Sequence, residues 1–132
     1  MINPMTSITP GLTAGRTETV ERHMTVGHFV PGMPFVYATP MMILLMEMTS
    51  GDAINPHLPQ GFASVGMEVN IRHLAATPVG RLVRATAKVI EVDGRRVNFE
   101  VAVYDGERKI GDGTHRRGVI DTAQFKSRFG AD

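Results

Sequence analysis

Cysteine is absent from the 132 residues, which removes disulfides, thiolate metal ligands, Fe–S clusters and a Cys nucleophile together. An excess of charge is lacking too. With 14 Lys and Arg against 13 Asp and Glu, the chain has no broad electrostatic footprint for nucleic acid or an anionic membrane, so any anionic ligand must be met locally. The longest apolar stretch, Pro40 to Met46, is far short of the roughly 20 residues that a membrane span requires. Met1 to Leu12 has neither the basic start nor the apolar core of a secretory signal, and the expected location is the cytoplasm. Internal repeats and low-complexity tracts are missing, and only the first dozen and last few residues read as loose. His23, His28, His57, His73 and His115 have no paired ligand spacing, so no metal site is expected.

What is there suits one domain spanning residues 1–132, with 42% hydrophobic and 20% charged residues. Thr39 to about Ile54 opens with a good N-cap followed by Pro40, the usual start signal of a helix. Met41, Met42, Ile43, Leu44, Leu45, Met46 and Met48 cover every azimuth of that helix, which predicts burial on nearly all sides. The rest alternates like strands. Phe62 to His73 places Val65, Met67, Val69, Ile71 and His73 on one face, and Leu82 to Val92 repeats the period. Asp93-Gly94 reads as a type I′ hairpin turn, Val97 to Val103 as the next strand, and Asp105-Gly106 as a second turn before a last strand at about Arg108 to Asp121. An earlier strand is expected at about Thr17 to His28. The layout is α+β, with about five antiparallel strands curled round one buried helix. Such a sheet leaves an edge uncovered, and pairing between two copies is the natural remedy.

Glu47 is the only ionisable residue between Tyr37 and Asp52, inside an otherwise apolar helix. A carboxylate there either marks where the helix surfaces or is held by partners for nucleophilic or general-base work, because burial without partners costs several kcal/mol. Thr39 is an N-cap whose position could also turn free backbone N–H groups towards an oxyanion. His73 ends an apolar strand face, as a core histidine or a catalytic imidazole. Gly66 interrupts the same strand, marking a bulge or the close approach of a ligand. Thr39 and Glu47 are eight residues apart, so a regular helix separates them by about 12 Å of rise and about 80°. A site using both must bridge them with substrate or water, or take one from a partner across a two-fold interface. Gly111 to Thr114 lacks the context of a phosphate loop and reads as a turn or bulge. Arg116 and Arg117 belong either to a solvated strand face or to a contact with the phosphates of a ligand.

Four segments together resemble the fluoroacetyl-CoA thioesterase-like branch of the hotdog thioesterases: YATPMMILLMEM from Tyr37, SVGMEVNIRHLAATPVG from Ser64, VDGRRVNFEV from Val92 and IGDGTHRRGVID from Ile110. The resemblance runs from about Thr17 to Phe125. It implies a hotdog fold, a homodimer with active sites at the interface, and hydrolysis of a small acyl-CoA without metal or cofactor. It also implies that Thr39, Glu47 and His73 are the catalytic set and that Gly66 lies beside the thioester. Met33 stands where the fluoroacetate-specific member has an aromatic gate, and nearby Phe35 is the candidate substitute. Rival readings are a non-catalytic acyl-CoA-binding module and a hotdog dehydratase or hydratase. A dimer of dimers is a further assembly to consider.

Overall fold

The computed structural model describes residues 2–130 and 132. Its elements run β1 (Thr13–Thr19), a 3-10 turn (Arg22–Met24), α1 (Val26–Phe29), α2 (Thr39–Ile54), a second 3-10 turn (Asn55–His57), β2 (Phe62–His73), β3 (Leu82–Asp93), β4 (Arg96–Asp105), β5 (Arg108–Asp121) and α3 (Thr122–Phe129). The strands form one antiparallel sheet in the order β1-β3-β4-β5-β2, which leaves β1 and β2 at its edges.

The sheet wraps α2, which packs against all five strands. Met42, Leu45, Met46 and Ile54 meet Val83, Val89, Val97, Phe99, Val101 and Val103 in the core, where alternate residues of β3 and β4 point inward. Thr49 and Ser50 are buried on the helix without loss, because each hydroxyl donates to the carbonyl four residues earlier, at 2.7 and 2.8 Å.

Several expectations need correction. The first strand is Thr13–Thr19, not Thr17 to His28: Val20 and Met24 are buried as alternation expects, but Arg22 between them is exposed and the chain winds there into the 3-10 turn. The two hairpin loops are Gly94-Arg95 and Gly106-Glu107, with only the glycine at positive φ (58° and 61°), the pattern of a II′ rather than a I′ turn. The termini are not loose throughout. Ile8 is in the core, and Asp121 caps α3 by accepting from the Gln124 N–H at 3.1 Å. Finally, α2 is not covered all round, since Leu44 is 45% exposed while Ile43, Glu47 and Met48 are half-buried. One face of the central helix therefore lies open in a single chain.

Candidate active site

Thr39 is the first residue of α2 rather than its cap; Ala38 holds the cap position and Pro40 follows in the first turn. Relieved of capping, the Thr39 hydroxyl sits 2.8 Å from Nδ1 of His73, at the end of β2. The free N–H groups expected at this helix start are few. Pro40 has none, and those of Met41 and Met42 both donate to the Ala38 carbonyl, at 3.0 and 3.1 Å, which leaves Thr39. His73 is half-buried, and its Nε2 has no hydrogen-bond partner among the described residues. Burial lowers its proton affinity below the ordinary histidine range, with the Ala75 backbone acting in the opposite direction. The ring is thus neutral near pH 7 and can accept the Thr39 proton at Nδ1.

Glu47 lies two turns along α2 and belongs to a second cluster. Its carboxylate rests against the backbone of β2 at Gly66, where a Cβ would collide with Oε2. Gly66 also begins the register shift with β5 that ends at Glu68, so it marks a bulge, and what lies close against its backbone is the Glu47 carboxylate. Arg117 of β5 comes up beneath. Its Nη1 is 4.0 Å from Glu47 Oε2 and 3.3 Å from the Glu47 carbonyl oxygen. Its Nε donates to the Ser64 hydroxyl and its Nη2 to the Ser64 carbonyl, both at 2.8 Å, and that hydroxyl donates to Asn55 Oδ1 at 2.8 Å. His115 closes the group, with Nε2 at 3.2 Å from Arg117 Nη1 and Nδ1 at 2.8 Å from the Glu68 carbonyl. Burial lowers the proton affinity of Arg117, with the Glu47 charge opposing, yet a guanidinium keeps its charge at any ordinary pH.

A cavity of about 350 Å³ lies over this cluster, lined by Arg16, Leu44, Glu47, Met48, Asp52 and Arg117 among others. Arg16 and Asp52 form its far wall as an ion pair at 2.9 Å. Met48 reaches this cavity, whereas Met42 and Met46 fill the core. A larger hollow of about 1130 Å³ on the outer side of the sheet, lined by Thr86, Lys88, Glu100 and Tyr104 among others, contains none of the candidate residues.

The structure brings Thr39 to His73 and Glu47 to Gly66, and it keeps the two pairs at different levels of α2. Met33 and Phe35 lie exposed on the loop before α2, and the Arg22 guanidinium covers the Phe35 ring at 3.7 Å. Arg116 and Arg117 do not act together. Neighbours on a strand face opposite ways: Arg116 donates to Asn98 at 2.8 Å, while Arg117 is 9% exposed and belongs to no solvated face. The sequence reading missed His115 and Ser64. The signal available for His115 was its alternation with Arg117 and Val119 on the inward side of β5. Among the described residues, no three His, Asp or Glu side chains come together as a metal site.

A five-stranded antiparallel sheet wrapped round one central helix is the hotdog fold of the solved thioesterases. The family model for the fluoroacetyl-CoA-specific thioesterase matches residues 20–123. The fluoroacetyl-CoA thioesterase of Streptantibioticus cattleyicolor is 39% identical over 115 residues, 83% of each chain. A solved structure of the fluoroacetyl-CoA thioesterase superposes with a TM-score of 0.87 at 36% identity, covering 93% of this chain and 96% of that one. A thioesterase superfamily member from Thermus thermophilus gives 0.87 at 32% identity, covering 96% and 93%. The chain belongs to the fluoroacetyl-CoA-specific thioesterase family and is an acyl-CoA thioester hydrolase. These comparisons give no support to the binding-module or dehydratase readings.

Proposed function

We propose that this protein hydrolyses a small acyl-CoA thioester at a composite site, with Thr39 and His73 from one copy of the chain and Glu47 and Gly66 from another. The observation that carries this reading is the division of the candidate residues into two groups at different levels of one helix, Thr39 hydrogen-bonded to His73 and Glu47 lying against Gly66. Glu47 attacks the thioester carbonyl or activates the water that does. The Thr39 N–H, at the positive end of α2, faces the developing oxyanion together with the Gly66 backbone, while the Thr39 hydroxyl orients His73. Where Glu47 activates water, it takes one water proton as the hydroxide adds to the carbonyl carbon, the C–S bond breaks as the oxyanion collapses, and His73 relays that proton to the departing thiolate. Where Glu47 attacks, the C–S bond breaks to leave a mixed anhydride on Glu47; one water then cleaves it, restores the carboxylate and supplies the proton that His73 relays to the thiolate. Either route consumes one water and yields the free acid and CoA.

The homodimer is supported by three open surfaces. Leu44 is exposed on α2, β2 has a free edge, and Met67 and Val69 on β2 are 52% and 37% exposed. Burial of such surface is the usual basis of a two-fold interface. The chain acts as a single domain, and the cytoplasm is its expected place.

Compact acyl groups fit best, because the cavity beside Glu47 is about 350 Å³ and walled by Leu44 and Met48. Met33, where the fluoroacetate-specific member has an aromatic gate, lies on the exposed loop before α2, so fluoroacetyl-CoA is one compact substrate among several. Thiol release from a panel of acyl-CoAs tests all of this. Acetyl-, propionyl- or fluoroacetyl-type substrates should turn over faster than palmitoyl-CoA, and the reverse order would overturn the small-acyl reading. No release from any of them would overturn the enzyme.

A further inference from the structure

His115 is buried beside Glu47 and Arg117 and has no task in the chemistry above. Its ring is held at both nitrogens. Nδ1 is 2.8 Å from the Glu68 carbonyl, which can only accept, so Nδ1 carries the proton. Nε2 therefore keeps its lone pair, and it faces Nη1 of Arg117, which can only donate, at 3.2 Å. The two partners together select one tautomer of a neutral ring, stacked on Phe99 with centroids 6.1 Å apart.

The consequence falls on Arg117. Nη1 has two protons; one points to the Glu47 carbonyl at 3.3 Å and the other to His115 Nε2. Neither is left for the Glu47 carboxylate, whose Oε2 at 4.0 Å is beyond hydrogen-bond reach. The carboxylate thus gains a neighbouring positive charge while its lone pairs stay free. We propose that His115 is a positioning residue: by accepting one Nη1 proton of Arg117 it keeps the guanidinium from closing a hydrogen-bonded ion pair on Glu47, so that the carboxylate can react. The proposal rests on Glu47 being the reacting carboxylate.

Protonation of His115 would reverse this arrangement, because Nε2 would become a second donor facing Arg117. The guanidinium would then turn its freed proton to Glu47. The groups around the ring are Arg117 on its own strand, Glu47 from α2, the Gly66–Glu68 backbone from β2 and the uncharged Phe99 from β4. Burial is the largest influence and opposes protonation; Arg117 opposes it as well, while Glu47 and the Glu68 carbonyl favour it. The ring is therefore neutral at neutral pH and charges only below the ordinary histidine range.

The test measures kcat and KM against pH for the full chain and for His115→Gln, His115→Leu and Glu47→Gln, with a short acyl-CoA that the wild type hydrolyses. His115→Gln offers an acceptor that does not titrate, so it should keep kcat near pH 7 and remove one protonation from the acid limb. His115→Leu leaves Arg117 free to close on Glu47 and should lower kcat by roughly ten- to a hundredfold, the scale of small misplacements at a reacting group, with KM nearly unchanged. Wild-type kcat in a folded His115→Leu protein, or an acid limb in His115→Gln as steep as in the wild type, would overturn the proposal. If His115→Leu does not fold, the acid limb of His115→Gln decides alone. Full activity in Glu47→Gln would remove the underlying reading and this proposal with it, whereas an inactive Glu47→Gln beside unaltered His115 variants would remove this proposal only.

Discussion

The carboxylate of Glu47 occupies the place where a side chain of residue 66 would begin, so the glycine in β2 and the acid in α2 form one device. Gly66 needs no special backbone conformation, and its value lies in the missing Cβ. Gly66→Ala should push the carboxylate away from the strand and lower kcat by roughly tenfold or more. Glu47→Gln keeps the volume and removes the charge, and should lower kcat by at least roughly a hundredfold, the scale of losing a positioned base. Its melting temperature should change little, because the Glu47 side chain is 35% exposed. The double variant should be hardly worse than Glu47→Gln alone, since residues that act as a unit are not additive. Additive losses would separate the two residues.

Thr39 tests the other half of the site. Thr39→Ala removes the hydroxyl that orients His73 and should lower kcat by roughly a hundredfold, the scale of misplacing a group that transfers a proton. Thr39→Ser keeps the hydroxyl and should retain most of the activity. Stability should move by no more than about 0.5 kcal/mol, because Thr39 is exposed and makes no capping bond. A large fall in melting temperature would mean that the hydroxyl serves the fold.

Acid should weaken the fold through two histidines. His73 and His115 both bind a proton less readily in the folded chain than a free histidine does, mainly through burial. The unfolded chain then takes up more protons as pH falls, so their contribution to stability is present above the ordinary histidine range and is lost as pH drops through the lowered values. The melting temperature should decline as pH falls through and below the ordinary histidine range, and less steeply in His115→Gln. A profile identical to the wild type's in that variant would assign the acid sensitivity to other groups.

The helix at Thr39 to Ile54 and the long strands were legible because their periods and turns are local properties of the chain. Glu47 was legible through its isolation among apolar neighbours, and Gly66 through its interruption of a strand. What escaped depends on packing across elements. Alternation on β5 puts Arg117 inward, but only the cross-strand meeting with Ser64 and the crossing of α2 show that its charge is spent there. Val20 and Met24 gave the early segment a strand-like look, while a capping box at Glu21 turns it into a helical turn. The open face of α2 follows from geometry that no single-chain periodicity contains, because an apolar helix reads the same whether its own sheet or another copy covers it.

That open face leads to the composite site, and mixing two inactive variants can test it. Thr39→Ala and Glu47→Gln each disable every site in their own homodimer. In a heterodimer made from both, one site would combine the two replaced residues and be inactive, while the other would combine an intact Thr39 with an intact Glu47. Random exchange makes half the dimers mixed, each with one of its two sites intact, so the mixture should recover about a quarter of wild-type activity under two-fold symmetry. If both residues of a site came from the same copy, every site in the mixture would carry one replacement and no activity would return. Leu44→Arg provides the control: it places a charge on the exposed face of α2, where Leu44 is 45% exposed in the single chain, and should shift sedimentation to the monomer with loss of turnover. A fully active monomer would overturn the composite site, whatever the mixing experiment returned.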